Sequence, residues 1–195
     1  YVVADEIYEH INFSGTFCSI ASIPGMLEKT VTVNGVAKAF AMTGWRIGYI
    51  GAPEFIAKAC TKIQGQVTSG ANSIAQRATI TAVDADPSVL NEMVAAFKSR
   101  RDLVVGFIQN IPGLKINIPE GAFYVFPDVS SFFGKTLKGT KIENATDLSM
   151  YLLAEANVAT VTGDAFGNPN CLRISYATSE TILTEALKRI KEALA

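Results

Sequence analysis

The sequence predicts an α/β fold followed by a smaller α+β unit, the two joined by one long helix. Three observations predict it. Short apolar strands alternate with helical stretches through roughly the first 85 residues, the pattern of a sheet flanked by helices. An Asp86-Pro87 pair then opens a run in which Leu90, Met93, Val94, Phe97, Val104, Phe107 and Ile108 recur at helical spacing as far as Asn110. Beyond Gly113 the segments are short and mixed, with strand-like pieces interleaved with further helices. The 195 residues, 49% of them hydrophobic, suffice for one ordinary domain or two small ones.

Taken in order, Tyr1 to Ala4 (YVVA) reads as a buried strand ending at Asp5. Thr30 to Asn34 (TVTVN) is a second strand, bounded by Gly35, and Trp45 to Gly51 (WRIGYIG) a third, closed by Ala52-Pro53. A loop with turn residues Ser14-Gly15 and Pro24-Gly25 separates the first two. Pro53 to Gln64 and Asn72 to Val83 read as helices. Ile111-Pro112-Gly113 stops the long helix, and strands follow at Leu114 to Ile118, Ala122 to Phe126 and Cys171 to Tyr176. A helix covers Ala145 to Ala156. The last helix starts near Ser179 with Leu183, Leu187, Ile190 and Leu194 on one face, its acids early and its bases late, as the helix dipole favours. The domain boundary is placed at 85/86, with the linking helix over about 86–110.

With 17 basic and 18 acidic side chains and a net charge of −1, no surface calls for nucleic acid or an anionic membrane. No apolar run is long enough for a membrane helix. Cys18, Cys60 and Cys171 are far apart, with no metal-ligand spacing, and read as free thiols of a cytoplasmic protein. The chain starts at Tyr1, in what reads as a strand entered partway through a domain, so a fragment of a longer protein is expected.

The chemistry lies where strands end. Asp5 follows an apolar strand, the place where parallel sheets build ligand crevices, although alone it reads first as a cap or turn aspartate. Tyr8 is three residues on; alone it reads as a packing aromatic. Lys38 sits among Val36, Ala37, Ala39, Phe40 and Ala41 with no acid nearby in sequence; snorkelling is the plain alternative. Arg46, in the expected third strand, leaves the opposite face from Trp45 and Ile47, and a salt bridge would explain it equally. Together they form a coherent set. A lysine in a dry site holds a neutral, nucleophilic amine that can bond an aldehyde. A carboxylate can keep a ring nitrogen protonated, a phenol can bond a ring oxygen, and an arginine can grip a phosphate in a bidentate fork. The aldehyde that uses all of them is pyridoxal 5′-phosphate.

The stretches ADEIYEH, VNGVAKAFAMTGWRIGYIGAP, PEGAFYVFP and GDAFGNPNCLRISYA resemble the class I pyridoxal-phosphate aminotransferases of fold type I, in particular the bacterial aspartate aminotransferase subgroup. The resemblance implies Lys38 as the Schiff-base lysine and proton carrier, Asp5 at the pyridine nitrogen, Tyr8 at the ring hydroxyl and Arg46 at the phosphate. It implies Arg173 at the substrate α-carboxylate. It further implies a homodimer that transaminates an L-amino acid, aspartate by subgroup, with 2-oxoglutarate in a ping-pong cycle. Residues 1–85 would be the later part of the large cofactor domain, and 86–195 the small domain. The family commonly has serine before the lysine; Ala37 here removes a hydrogen bond to phosphate worth roughly 1.5–3 kcal/mol. The family's amino-terminal half is not in this chain, so the isolated 195 residues are expected to be inactive. A ligand-sensing domain of a transcription regulator is the alternative on the same fold.

Other residues read plainly. His10 is a surface residue, and Arg100-Arg101 a solvated helix face. Gly163 and Gly167 belong to a loop that places Arg173. Phe123 or Tyr124 walls a pocket or fills the core.

Overall fold

Val2–Asp5 forms strand β1, and Thr30–Gly35 forms β2 beside it, parallel, in a register that runs from Val2↔Thr30 to Asp5↔Val33. Gly48–Gly51 forms β3, antiparallel to β2 with Gly35 opposite Gly48, so the sheet order is β1-β2-β3. β2 takes the centre because Thr30, Val31, Thr32 and Val33 are β-branched and suit a strand paired on both sides. The computed structural model describes residues 1–195, which divide into two units, Tyr1–Val94 and Ala95–Ala195.

In the first unit, helix α1 (Glu54–Val67) follows Pro53, and α2 (Ser73–Val83) follows Asn72. The Asn72 side chain accepts hydrogen bonds from Ile74 N and Ala75 N, satisfying donors that the first turn leaves open. The small core gathers Val36, Ile47 and Ala75, with Phe40, Met42 and Ala82 against it. α1 buries no side chain fully: Phe55, Ile63 and Val67 stay 62%, 65% and 72% exposed.

The expected strand from Trp45 is corrected. Thr43–Trp45 is a single 3-10 turn, Arg46 takes the left-handed conformation (φ 56°, ψ 47°), and the strand begins at Gly48. The side-chain alternation inferred for Arg46 therefore does not apply; a turn aims it. Gly35 is a physical reason for the register here, since a Cβ on it would lie 2.8 Å from the Ile47 carbonyl oxygen. The long helix also starts differently. Asp86 caps a 3-10 turn over Pro87–Leu90, and the α-helix proper, α3, runs Asn91–Gln109.

In the second unit, β4 (Tyr124–Val125), β8 (Leu172–Ser175) and β7 (Val161–Thr162) form an antiparallel sheet in that order. β5 (Thr136–Leu137) and β6 (Thr140–Lys141) make a hairpin. α4 (Ala145–Ala156) is capped reciprocally: Asn144 accepts from Asp147 N, and the Asp147 carboxylate accepts from Glu143 N. α5 (Glu180–Ala193), capped by Ser179, buries Leu183, Leu187, Ile190 and Ala193 on the face its spacing predicts. These helices close a core around Val129, Phe132, Ile142, Leu148, Leu152 and Leu172, and the Tyr151 hydroxyl donates to Ala193 O at 2.8 Å.

Several expectations contract. Leu114 to Ile118 is not a strand; it makes one bridge, Lys115↔Asp128. Ala122 to Phe126 shortens to Tyr124–Val125 behind Ala122, which is left-handed (φ 58°). Arg101 is not solvated. It is buried at 8% exposure and donates to Asp102 Oδ1 and to Pro119 O. No helix is long and apolar enough to cross a membrane.

Tyr176 is fully buried and donates its hydroxyl to Ala122 O at 3.0 Å. Burial pushes its phenol up to about 12, with Arg101 pulling down and Asp102 pushing up. The folded state therefore favours the protonated phenol, and its contribution is full below the ordinary value near 10 and lost as pH rises towards 12. Tyr176→Phe is expected to cost about 1 kcal/mol at neutral pH. The variant should lose less stability than the parent sequence between those two pH values, which denaturant titrations across the range will show.

Candidate active site

β1 and β2 are parallel neighbours, so their carboxyl ends open side by side, the position where α/β sheets place ligand crevices. At the end of β1, Asp5 Oδ1 accepts from Ile7 N at 3.2 Å and turns the chain. Glu6 N continues the ladder to Val33 O, and Ile11 N bonds Tyr8 O, so Tyr8 is carried on a tight loop pinned by the fully buried Ile11. At the end of β2, Asn34 Nδ2 donates to Glu9 Oε1 at 2.7 Å and ties that loop to the second strand. Glu9 also meets His10 Nε2 at 3.2 Å, and its charge adds to the burial that raises the Tyr49 phenol.

Buried Val36 and Ala39 bracket Lys38, which is half-buried, with Nζ 5.8 Å from the centre of the Tyr8 ring. The fold thus brings Lys38 and Tyr8 together from two separate segments. Asp5 is exposed at its strand end, and its carboxylate is engaged only by the turn. Arg46 donates from Nη1 to Thr43 O at 3.0 Å. With Ala41, Gly44, Trp45, Asn72 and Ile74 it lines an open cleft of about 530 Å³. Neither Asp5 nor Arg46 bonds Lys38 or Tyr8 directly.

Arg173 belongs to the second unit, on β8 opposite Val161. Its guanidinium carbon lies 3.9 Å from the centre of the Phe166 ring and 4.5 Å from that of Tyr124. The guanidinium makes no ion pair and no hydrogen bond. Phe166 stands on the GDAFGNPN loop, where Gly163 N bonds Cys171 O and Asn168 N bonds Gly163 O. A Cβ on Gly163 would sit 2.1 Å from Asn168 O and 2.6 Å from Cys171 O. Both neighbours are backbone, so Gly163→Ala is expected to destabilise the second unit by about 3 kcal/mol or more. Thermal or denaturant unfolding measures the loss.

Sequence reasoning missed the Asn34–Glu9 tie and the role of Phe166. The polar residue ending TVTVN was the available signal for the first. The stacking of Phe166 comes from loop closure and has no periodic signature. No group of side chains has metal-site composition and proximity.

The family described as aminotransferase class I and II matches residues 1–190. The chain is 50% identical to the bifunctional aspartate aminotransferase and glutamate/aspartate-prephenate aminotransferase of Petunia hybrida, over 99% of this chain and 41% of that protein. It is 47% identical to the aspartate aminotransferase of Rhizobium meliloti strain 1021, over 99% of this chain and 48% of that one. The crystal structure of the Rhizobium meliloti aspartate aminotransferase superposes with a TM-score of 0.95 at 46% identity, covering 100% of this chain and 49% of the other. The aromatic aminotransferase of Pyrococcus horikoshii gives 0.87 at 37% identity, over 99% and 50%. The chain spans about half the length of the curated relatives it matches. On sequence and fold alike, it belongs to the class I and II aminotransferases.

Proposed function

We propose that this chain is the C-terminal half of a pyridoxal 5′-phosphate-dependent transaminase that moves the amino group of an L-amino acid, aspartate by kinship, to 2-oxoglutarate. The observation that carries the reading is the pairing of Lys38 with Tyr8 beyond the carboxyl ends of adjacent parallel strands. The residues fit the cofactor: an amine for its aldehyde, a carboxylate for its ring nitrogen, a phenol for its ring oxygen and a guanidinium on an open cleft for its phosphate. When bound, the cofactor supplies an electron sink for the carbon that loses its proton.

The chain's own residues do the rest. Lys38 would hold the cofactor through its amine and would serve as the base that takes and returns the substrate's α-proton. Asp5 would place its carboxylate at the ring nitrogen. Tyr8 flanks the Lys38 amine and would donate to the ring oxygen. Arg46 offers in-plane donors to phosphate, and Arg173 does the same for the substrate carboxylate. The intact protein is read as a cytoplasmic homodimer whose partners are amino acids and 2-oxo acids. Residues 1–85 and 86–195 are read as belonging to its large and small domains. The 195 residues alone are read as inactive.

Amino transfer from aspartate to 2-oxoglutarate by the full-length parent tests this, with and without added pyridoxal phosphate. Cofactor-dependent oxaloacetate formation is expected. A parent that binds the cofactor and transfers no amino group from any member of an amino-acid panel would contradict it.

A further inference from the structure

The clamp on Arg173 goes beyond a carboxylate contact. We infer that Tyr124 and Phe166 are positioning residues that make Arg173 an in-plane carboxylate receptor, with Phe166 the more exposed wall; this rests on the carboxylate role given to Arg173 above. A guanidinium carries its N–H donors in one plane, and an aromatic face attracts its cationic π-surface. With Phe166 at 3.9 Å and Tyr124 at 4.5 Å, two aromatic rings pack against the guanidinium, and its N–H donors have no protein acceptor. The unpaired donors are what the aromatic packing leaves to a ligand, and a planar carboxylate satisfies them in a bidentate manner.

The two walls are built differently. The Tyr124 ring lies 4.8 Å from that of Phe123, which stacks on Phe97 of α3 at 5.2 Å, so it is backed by the core. The Phe166 ring has Phe126 edge-on at 6.4 Å, and the residue remains 44% exposed on its loop. Strand pairing also holds the Arg173 backbone between β4 and β7. Phe166 is thus the wall whose loss changes the face of Arg173 with least effect on the sheet.

The test uses the full-length parent loaded with pyridoxal phosphate, and succinate, a dicarboxylate with no amine to react, titrated by calorimetry. Phe166→Leu keeps apolar bulk and removes the π-face; it is expected to weaken succinate binding about tenfold. Phe166→Tyr restores the face and should bind within about twofold of the parent. The cofactor's visible spectrum should not change in either. A purely structural role predicts that Leu and Tyr behave alike. Phe166→Met gives the same comparison if the leucine variant does not fold. Arg173→Gln is the control and should lose succinate binding by about a hundredfold. If it does and Phe166→Leu binds like the parent, the clamp is overturned and the carboxylate role stands. If Arg173→Gln binds succinate normally, both are overturned.

Discussion

Lys38→Met in the full-length parent is expected to lower kcat by about 10⁴-fold or more, because the proposed site has one side chain both bond the cofactor and carry the proton. Methionine keeps an unbranched stem of similar length between Val36 and Ala39 and makes a favourable sulfur contact with a ring such as that of Tyr8. The fold should survive, and circular dichroism checks this independently. A lysine placed there only to pack its stem would tolerate the change, with kcat within about threefold of the parent. Steady-state kinetics at saturating substrate separates the two by orders of magnitude.

Asp5→Asn is the second large effect. Asparagine caps as well as aspartate, so the Oδ1 bond from Ile7 N should persist and the loop carrying Tyr8 should keep its path. Only the charge is lost. A carboxylate beside a protonated ring nitrogen raises that nitrogen's pKa by about 1–3 units, which corresponds to roughly a 10- to 1000-fold loss in the protonated population and in kcat. If Asp5 served only as a turn residue, the asparagine variant would match the parent in kcat and in its pH profile. Measuring both across pH 6–9 decides between the roles.

The strand-helix order and the amphipathic face of α5 were legible because burial imposes a period on the sequence. Leu183, Leu187 and Ile190 face the core as their spacing requires. The Asp86 cap was legible as local chemistry, though the four residues behind it adopt a 3-10 turn before the α-helix. Two-residue strands such as Thr136–Leu137 and Val161–Thr162 are too short to carry a period. Arg46 was misread as a strand residue because WRIGYIG alternates; a left-handed residue stands there, and pairing with β2 begins only at Gly48 opposite Gly35. Arg101 was misread because charge suggests exposure, whereas the fold buries it and brings Pro119 O to its guanidinium. At the candidate site, Lys38, Tyr8 and Asp5 were legible as residues at strand ends. The aromatic rings on Arg173 come from β4, distant in sequence, and from the loop before β8, so only the structure joins them.

The proposed chemistry turns on Lys38 bonding the cofactor. The most direct measurement mixes the full-length parent with pyridoxal phosphate, reduces the product with borohydride and maps the modified peptide. The expected result is one reduced adduct on Lys38 that is missing from the Lys38→Met protein. An adduct scattered over surface lysines such as Lys58 and Lys141, with Lys38 unmodified, would contradict the assignment.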